Sequence, residues 1–382
     1  MFIEIKGVQF VNKGAELMLA SVVERVKQYW PEADIVLEGN PFSPYKSRAK
    51  LGAFQKLSLR KNIIDLNFVA YHLPKSIRNY LKKWGVITEA DIDVVLDAAG
   101  FAYGDQWGAL KVTHLGGELK RYKKHGRKYV FLPQALGPFT RANDIKVLKD
   151  SLPKAALICA REEDSYKNIR QIIGDANNLI QMPDFTNAVK GIVPDYWKGG
   201  DSKICFIPNS NMIGIKNKNE NWKKNYINIM RLLMEQTQKL GLTPVLLNHE
   251  GDGDKEICQT LNNFFDGELE LIEEADPLKV KGIIGASKAI VCSRFHGCVS
   301  ALSQGTPNLG TSWSHKYEQL FSEYGVSELL IDPVADENEL VSLLSSLFDG
   351  EKTYLNTIEK NAVKYKKITE EMWSTVKDVI NN

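Results

Sequence analysis

Short apolar runs of strand length alternate with helical patterns along almost the whole chain, and such alternation leaves room for little besides parallel sheets covered by helices on both faces. The first half carries the runs FIEIKGV, ADIVLEG, DVVLDAAG, RKYVFLPQ and AALICAR. Helical patterns separate them at Ala15 to Tyr29, Trp107 to His125 and Asp164 to Ile173. The second half restarts with KICFIPN, TPVLLNHE, LELIEE, KAIVCSR, TPNLGTS and ELLIDP. With 382 residues the chain exceeds the roughly 250–300 at which one core stops growing. The expectation is an α/β protein of two doubly wound, Rossmann-like domains, covering residues 1–195 and 200–350. Pro and Gly cluster at the joint, near residues 191–203, and a terminal helix over 351–382 packs back across it.

Charge divides the halves. Residues 1–200 hold 30 basic against 21 acidic side chains, and residues 201–382 hold 19 against 26. A basic half suits an anionic substrate, an anionic membrane surface or simply a solvated face. The five cysteines, at 159, 205, 258, 292 and 298, include three in apolar strand-like runs and form no CxxC pair. They read as reduced thiols of a cytoplasmic protein, with no metal site. The first residues lack a signal-peptide core, and no run nears the ~18 apolar residues of a membrane span.

Candidate chemistry concentrates in SRFHG, Ser293 to Gly297, where the strand AIVCSR gives way to a helical run stopped by Gly305 and Pro307. Ligands of open α/β sheets bind beyond the carboxyl ends of strands, so Arg294 and His296 are placed to meet one. A guanidinium fork suits carboxylate or phosphate, and an imidazole moves protons near neutral pH. The loop VQFVNKGAE after the first strand, with Asn12, Gly14 and Glu16, can offer backbone N–H groups and a helix N-terminus to an anion or a hydroxyl. DAAGFAYGDQWG supplies Asp97, Tyr103, Asp105 and Gln106 for a sugar. Gln134, Asp184, Asn209, His249 and His315 follow strand-like runs and are further lining candidates. Asp91-Ile92-Asp93 precedes its strand and reads as a solvated loop.

Residues 44–85 interrupt the pattern with Lys46, Arg48, Lys50, Lys56, Arg60, Lys61, Lys75, Arg78, Lys82 and Lys83 among aromatic and aliphatic positions. Two readings stand: a basic amphipathic helix lying on an anionic bilayer, or an ordinary helical insertion with a charged outer face.

Taken together, SRFHG with its Gly305-Thr306-Pro307 stop, NKGAE (12–16), PQALGPF (133–139), AREEDSY (160–166) and MPDF (182–185) resemble, in order and spacing, the polysaccharide pyruvyl transferases. The chain departs from the family pattern at Ala15 and Glu16, where Asn-x-Gly-Asp is usual, and at Asp97-Ala98, where paired glycines are common. The resemblance implies two domains facing a cleft, like the B-type glycosyltransferases. It implies transfer of the enolpyruvyl group of phosphoenolpyruvate onto two hydroxyls of a hexose in a lipid-linked surface-polysaccharide precursor, with formation of a cyclic ketal and release of phosphate. His296 would be the general acid. Arg294 and Arg161, with Ser293, Phe295 and Gly297, would bind the donor. Phosphoenolpyruvate is then a co-substrate, no separate cofactor or nucleic acid is implied, and the expected location is the cytoplasm or the inner membrane face. A nucleotide-sugar glycosyltransferase of the same architecture and a non-catalytic carbohydrate-binding relative remain alternatives.

Overall fold

The computed structural model describes residues 1–215, 217–312, 314–348 and 354–382. Trp313 of the SWSHK run and residues 351–353, where the terminal helix was expected to begin, lie outside the described residues. The chain divides into two compact units. The first comprises Met1–Phe10, Met18–Phe185 and Ile368–Asn382, and the second Val11–Leu17 and Thr186–Lys367.

The strands of the first unit are β1 (Phe2–Lys6), β2 (Asp34–Glu38), β3 (Phe54–Lys56), β4 (Arg60–Lys61), β5 (Ile64–Asp65), β6 (Val86–Ile87), β7 (Val94–Asp97), β8 (Lys128–Gln134), β9 (Leu157–Ala160) and β10 (Leu179–Gln181). Eight form one parallel sheet in the order β10-β9-β8-β7-β1-β2-β3-β6, while β4 and β5 make a separate antiparallel hairpin. Side chains alternate across a strand, and the core follows that period. Ile3, Ile5, Leu96, Leu132 and Cys159 pack on one face against Val22 and Val26 of the helix Lys13–Tyr29 and Trp373 of the helix Tyr354–Asn381. Val95, Tyr129, Phe131 and Ile158 pack on the other face against Leu115 and Leu119 of the helix Ala109–Lys124. The sheet's winding reverses between β1 and β7.

Two sequence expectations fail here. Residues 44–85 are not one basic helix: β3 joins the main sheet, and only Tyr45–Lys50 and Lys75–Lys83 are α-helical. Lys56 and Arg48, counted as outward charges, are buried. Lys56 Nζ sits 2.8 Å from both oxygens of Glu4, and Arg48 donates to Gln55 and the Ser43 carbonyl. Asp91 is likewise no solvated loop residue. It is buried and accepts from Arg78 at 2.7 Å and Thr88 at 2.6 Å.

The second unit holds β11 (Lys203–Ile207), β12 (Thr243–Leu247), β13 (Leu271–Ile272), β14 (Ala289–Cys292) and β15 (Asn308–Gly310), parallel throughout in the order β13-β12-β11-β14-β15. ELLIDP, read as a strand, is a 3₁₀ turn at Ser327–Leu329 followed by a single bridge from Leu330 to Gly310. The winding reverses between β11 and β14. Ser293 and Arg294 therefore leave the sheet at the position where doubly wound folds bind ligands. All five cysteines are free and buried.

Candidate functional site in the second unit

β14 ends at Cys292, Arg294 takes the N-cap position, and Phe295–Leu302 forms the next helix with His296 in its first turn. The turn is held rigidly from below. The Ser293 hydroxyl pairs with Tyr226 at 2.7 Å, and its carbonyl accepts from Asn209 Nδ2 at 2.8 Å and from the Tyr317 hydroxyl at 2.9 Å. Ser293 and Asn209 are thus both buried and latch the two strands flanking the reversal. A Cβ on Gly297 would stand 2.5 Å from Cys292 Sγ, so that glycine allows the helix to close on its strand. The Phe295 ring meets His296 edge-on at 5.5 Å and Tyr317 at 5.7 Å.

The Arg294 guanidinium is buried among carboxylates. Nε donates to Asp254 at 2.7 Å, Nη2 donates to the other Asp254 oxygen, and Nη1 donates to Glu250. Asp254 belongs to the helix Gly251–Asn263 and also accepts from the Ser210 backbone at 2.9 Å. Burial works against both charges, pushing Asp254 up to about 7 and Arg294 down to about 10. Asp254 is enclosed, while the Glu250 side chain keeps 28% of its exposure. Of the two carboxylates on Arg294, Glu250 is the one open to solvent.

Val11–Leu17 completes this neighbourhood. Asn12 Oδ1 accepts from the Ala15 N–H at 3.1 Å, and Lys13 bridges Glu16 at 2.7 Å and the Ala275 carbonyl at 2.6 Å. Burial raises the Glu16 carboxyl despite its lysine, with Asp276 adding to the rise. A Cβ on Gly14 would fall 2.4 Å from His296 Nδ1, so backbone and imidazole are in direct contact. His249 is buried, and its Nδ1 has no hydrogen-bond partner among the described residues. Burial first, then Arg294, His296 and Lys13, hold it neutral far below the ordinary histidine range. His315 begins the helix His315–Glu323 and is exposed.

The remaining sequence candidates lie in the first unit. Arg161 Nε donates to Glu162 at 3.2 Å and Nη1 to Asp184 at 3.4 Å, while the Arg161 N–H meets the Gln134 carbonyl at 3.1 Å. Three separated motifs therefore converge there. Asp97 is buried and accepts from the Tyr103 and Tyr129 hydroxyls, and Gln134 Nε2 donates to its carbonyl at 3.1 Å. Asp105 binds Thr140 at both the N–H and the hydroxyl, and Gln106 is exposed.

Sequence reasoning missed Lys6, Lys13, Glu118, Glu250 and Asp254. For Lys6 and its neighbours the signal was present: Glu4 and Lys6 share one face of an otherwise apolar strand. Glu4, Lys56, Glu118 and Lys6 form a buried charge network beneath that face. No group of three or more metal-ligating side chains occurs among the described residues.

Two parallel, doubly wound units with the SRFHG turn at a winding reversal define an α/β protein of the B-type glycosyltransferase architecture. The same fold recurs in solved structures. UDP-GlcNAc 2-epimerase from Neisseria meningitidis bound to UDP-GlcNAc aligns with TM-score 0.60 at 11% identity, over 98% of this chain and 99% of that one. Anabaena HepE in complex with UDP and glucose gives 0.55 at 13% over 98% and 99%, and S. aureus MnaA with UDP gives 0.56 at 14% over 94% and 90%. No curated protein matches in sequence. Residues 12–315 match the model of the polysaccharide pyruvyl transferase family, and the chain belongs to that family.

Proposed function

We propose that the protein transfers the enolpyruvyl group of phosphoenolpyruvate to two hydroxyls of a hexose in a lipid-linked surface-polysaccharide precursor, closing a cyclic pyruvate ketal and releasing phosphate. The observation that carries this reading is the pairing of Arg294 and His296 on one rigid turn at the sheet reversal, with the Gly14 backbone against the imidazole. His296 donates a proton to the methylene carbon of the donor, and the neighbouring carbon becomes open to a sugar hydroxyl. A second hydroxyl then displaces phosphate. Proton transfer from a positioned group is worth 10²–10⁴-fold. The donor anion displaces Glu250 from Arg294 Nη1, while Asp254 keeps the fork in place. Neutral His249 adds no competing charge beside it. Arg161 is assigned to donor binding on the family resemblance.

Phosphate release from phosphoenolpyruvate that depends on a lipid-linked hexose, and that His296→Ala abolishes, is the expected result. The rival reading is a nucleotide-sugar enzyme, since the relatives of this fold named above were solved with UDP or UDP-GlcNAc. Release of a nucleoside diphosphate from a sugar donor, with no turnover of phosphoenolpyruvate, would decide for the rival. Binding of sugar without either turnover would decide for a non-catalytic relative.

No described helix is long and apolar enough to cross a membrane. Contact with an anionic bilayer, at the cytoplasmic face, is part of the proposal. The hairpin and helix of residues 60–84 expose Ile63, Ile64, Leu66, Phe68, Ile77, Tyr80 and Trp84 beside Lys61, Lys75 and Lys83. Exposed apolar groups grouped with cations suit an anionic lipid surface.

A further inference from the structure

A cavity of about 370 Å³ opens at the carboxyl ends of β1, β2 and β7 in the first unit, at the reversal between β1 and β7. Its size falls in the range of small-molecule sites. Its charge is unusual. Lys6, Arg60, Lys111 and His114 line it against a single carboxylate, Glu38.

These cations differ in availability. Lys6 is engaged by Glu118 and lies 3.0 Å from the Tyr129 hydroxyl, so it belongs to the floor. Among the described residues, Arg60 has only a loose pair with Glu38, at 3.8 Å. Lys111 is exposed at the rim, 4.8 Å from the Trp107 ring centroid, and has no carboxylate within ion-pair distance among the described residues. His114 Nε2 is buried with no hydrogen-bond partner among the described residues. A neutral sugar leaves the Lys111 charge, the loosely paired Arg60 and the His114 Nε2 without a strong partner. A phosphate ester answers all three, because its oxygens accept charge-assisted hydrogen bonds from guanidinium, ammonium and imidazole. The Tyr103 ring, Asn40, Ser43 and Glu38 provide the aromatic and polar surface that a pyranose needs.

We propose that this cavity binds a phosphorylated sugar, with its phosphate held by Arg60, Lys111 and His114. The assignment rests on the pyruvyl-transfer reading only in making that sugar the acceptor. The phosphate can come from a soluble sugar phosphate or from a lipid-linked one. Arg60 opens the hairpin whose tip exposes Ile63 and Ile64, so both sources enter the test.

The experiment uses the full chain. Equilibrium dialysis measures glucose, galactose and mannose 1-phosphates against the free hexoses. Flotation measures phosphatidylcholine vesicles with and without polyprenyl phosphate. The expected result is that a phosphate-bearing probe in one arm binds at least tenfold more tightly than its neutral counterpart. That preference falls about tenfold in Lys111→Ala and again in Arg60→Ala, and Lys111→Arg restores it. Lys111 is exposed, so its variants test binding and not folding. Equal binding of neutral sugars, no binding of any phosphate-bearing probe, or binding indifferent to both substitutions overturns the proposal. Phosphoenolpyruvate binding is measured on the same samples. If it is absent while Lys111-dependent binding persists, pyruvyl transfer falls and the cavity assignment stands; the opposite pattern separates them the other way.

Discussion

Gly14 and His296 touch backbone to ring, so closely that a methyl group on Gly14 would lie 2.4 Å from His296 Nδ1. The contact fixes the imidazole from a segment nearly three hundred residues away in sequence. Gly14 is the second residue of the helix Lys13–Tyr29, where the backbone conformation itself does not call for glycine. The glycine is therefore explained by the ring beside it.

Gly14→Ala separates position from folding. The added methyl pushes the imidazole away, while the helix backbone accepts alanine. Pyruvyl transfer is expected to fall by about 10²-fold or more, at the low end of what a positioned general acid supplies, with thermal stability nearly unchanged. Steady-state kinetics beside a melting curve reads both. Full activity in the variant would remove the imidazole from the proposed step.

Glu250 pairs with Arg294, and in the proposed reaction it competes there with the donor. Glu250→Gln removes a charge from Nη1 and leaves Asp254 to orient the fork. Phosphoenolpyruvate is expected to bind several-fold more tightly, a gain of about 1 kcal/mol, measured by titration calorimetry. Asp254→Asn acts oppositely, because the buried guanidinium loses its bidentate partner; breaking such a pair costs about 3–5 kcal/mol. Weaker donor binding in Glu250→Gln would mean that the anion does not use that nitrogen.

His249 gives the fold a pH dependence with a definite sign. Its folded-state pKa lies well below the ordinary value, because burial and the nearby cations disfavour its charge. The unfolded chain takes up the proton near pH 6.5 and the folded one does not. Stability from this group is therefore full above that pH and declines as pH falls below it, by about 1.4 kcal/mol per unit. Denaturant unfolding at pH 7.5, 6.5 and 5.5 is expected to show a steeper loss in the wild type than in His249→Gln. Parallel curves would contradict the assignment.

The sheets were legible because buried parallel strands read as apolar runs, and ten of the eleven expected strands formed. ELLIDP looked the same but pairs only through a single bridge from Leu330 to Gly310, the last residue of β15. The short strands β3, β6 and β10 have two or three residues each, too few to show a period. The turn carrying Arg294 and His296 was legible from its place at a strand end. Around it, Gly14 and His249 were among the lining candidates, but Glu250 and Asp254 were not: they lie forty or more residues earlier, and only tertiary structure brings them to Arg294. The buried charge network fails for a related reason: Lys56 looked like one more surface cation until β3 entered the sheet beside β2, from where its side chain reaches Glu4 on β1.

The exposed apolar residues of 60–84 give the last expectation. Arg78 and Lys82 are bound to Asp91, leaving Lys61, Lys75 and Lys83 without ion pairs among the described residues. At roughly 1 kcal/mol per cation near an anionic surface, these three supply on the order of a hundredfold in affinity, and that share is screened by salt. The aliphatic and aromatic groups supply a share that salt leaves intact. Cosedimentation with phosphatidylserine vesicles is expected to weaken about tenfold or more in Lys75→Glu with Lys83→Glu, mainly at low salt. Ile63→Ser with Trp84→Ser should weaken it at all salt concentrations. If the wild type stays in the supernatant at low salt, this surface does not meet a bilayer.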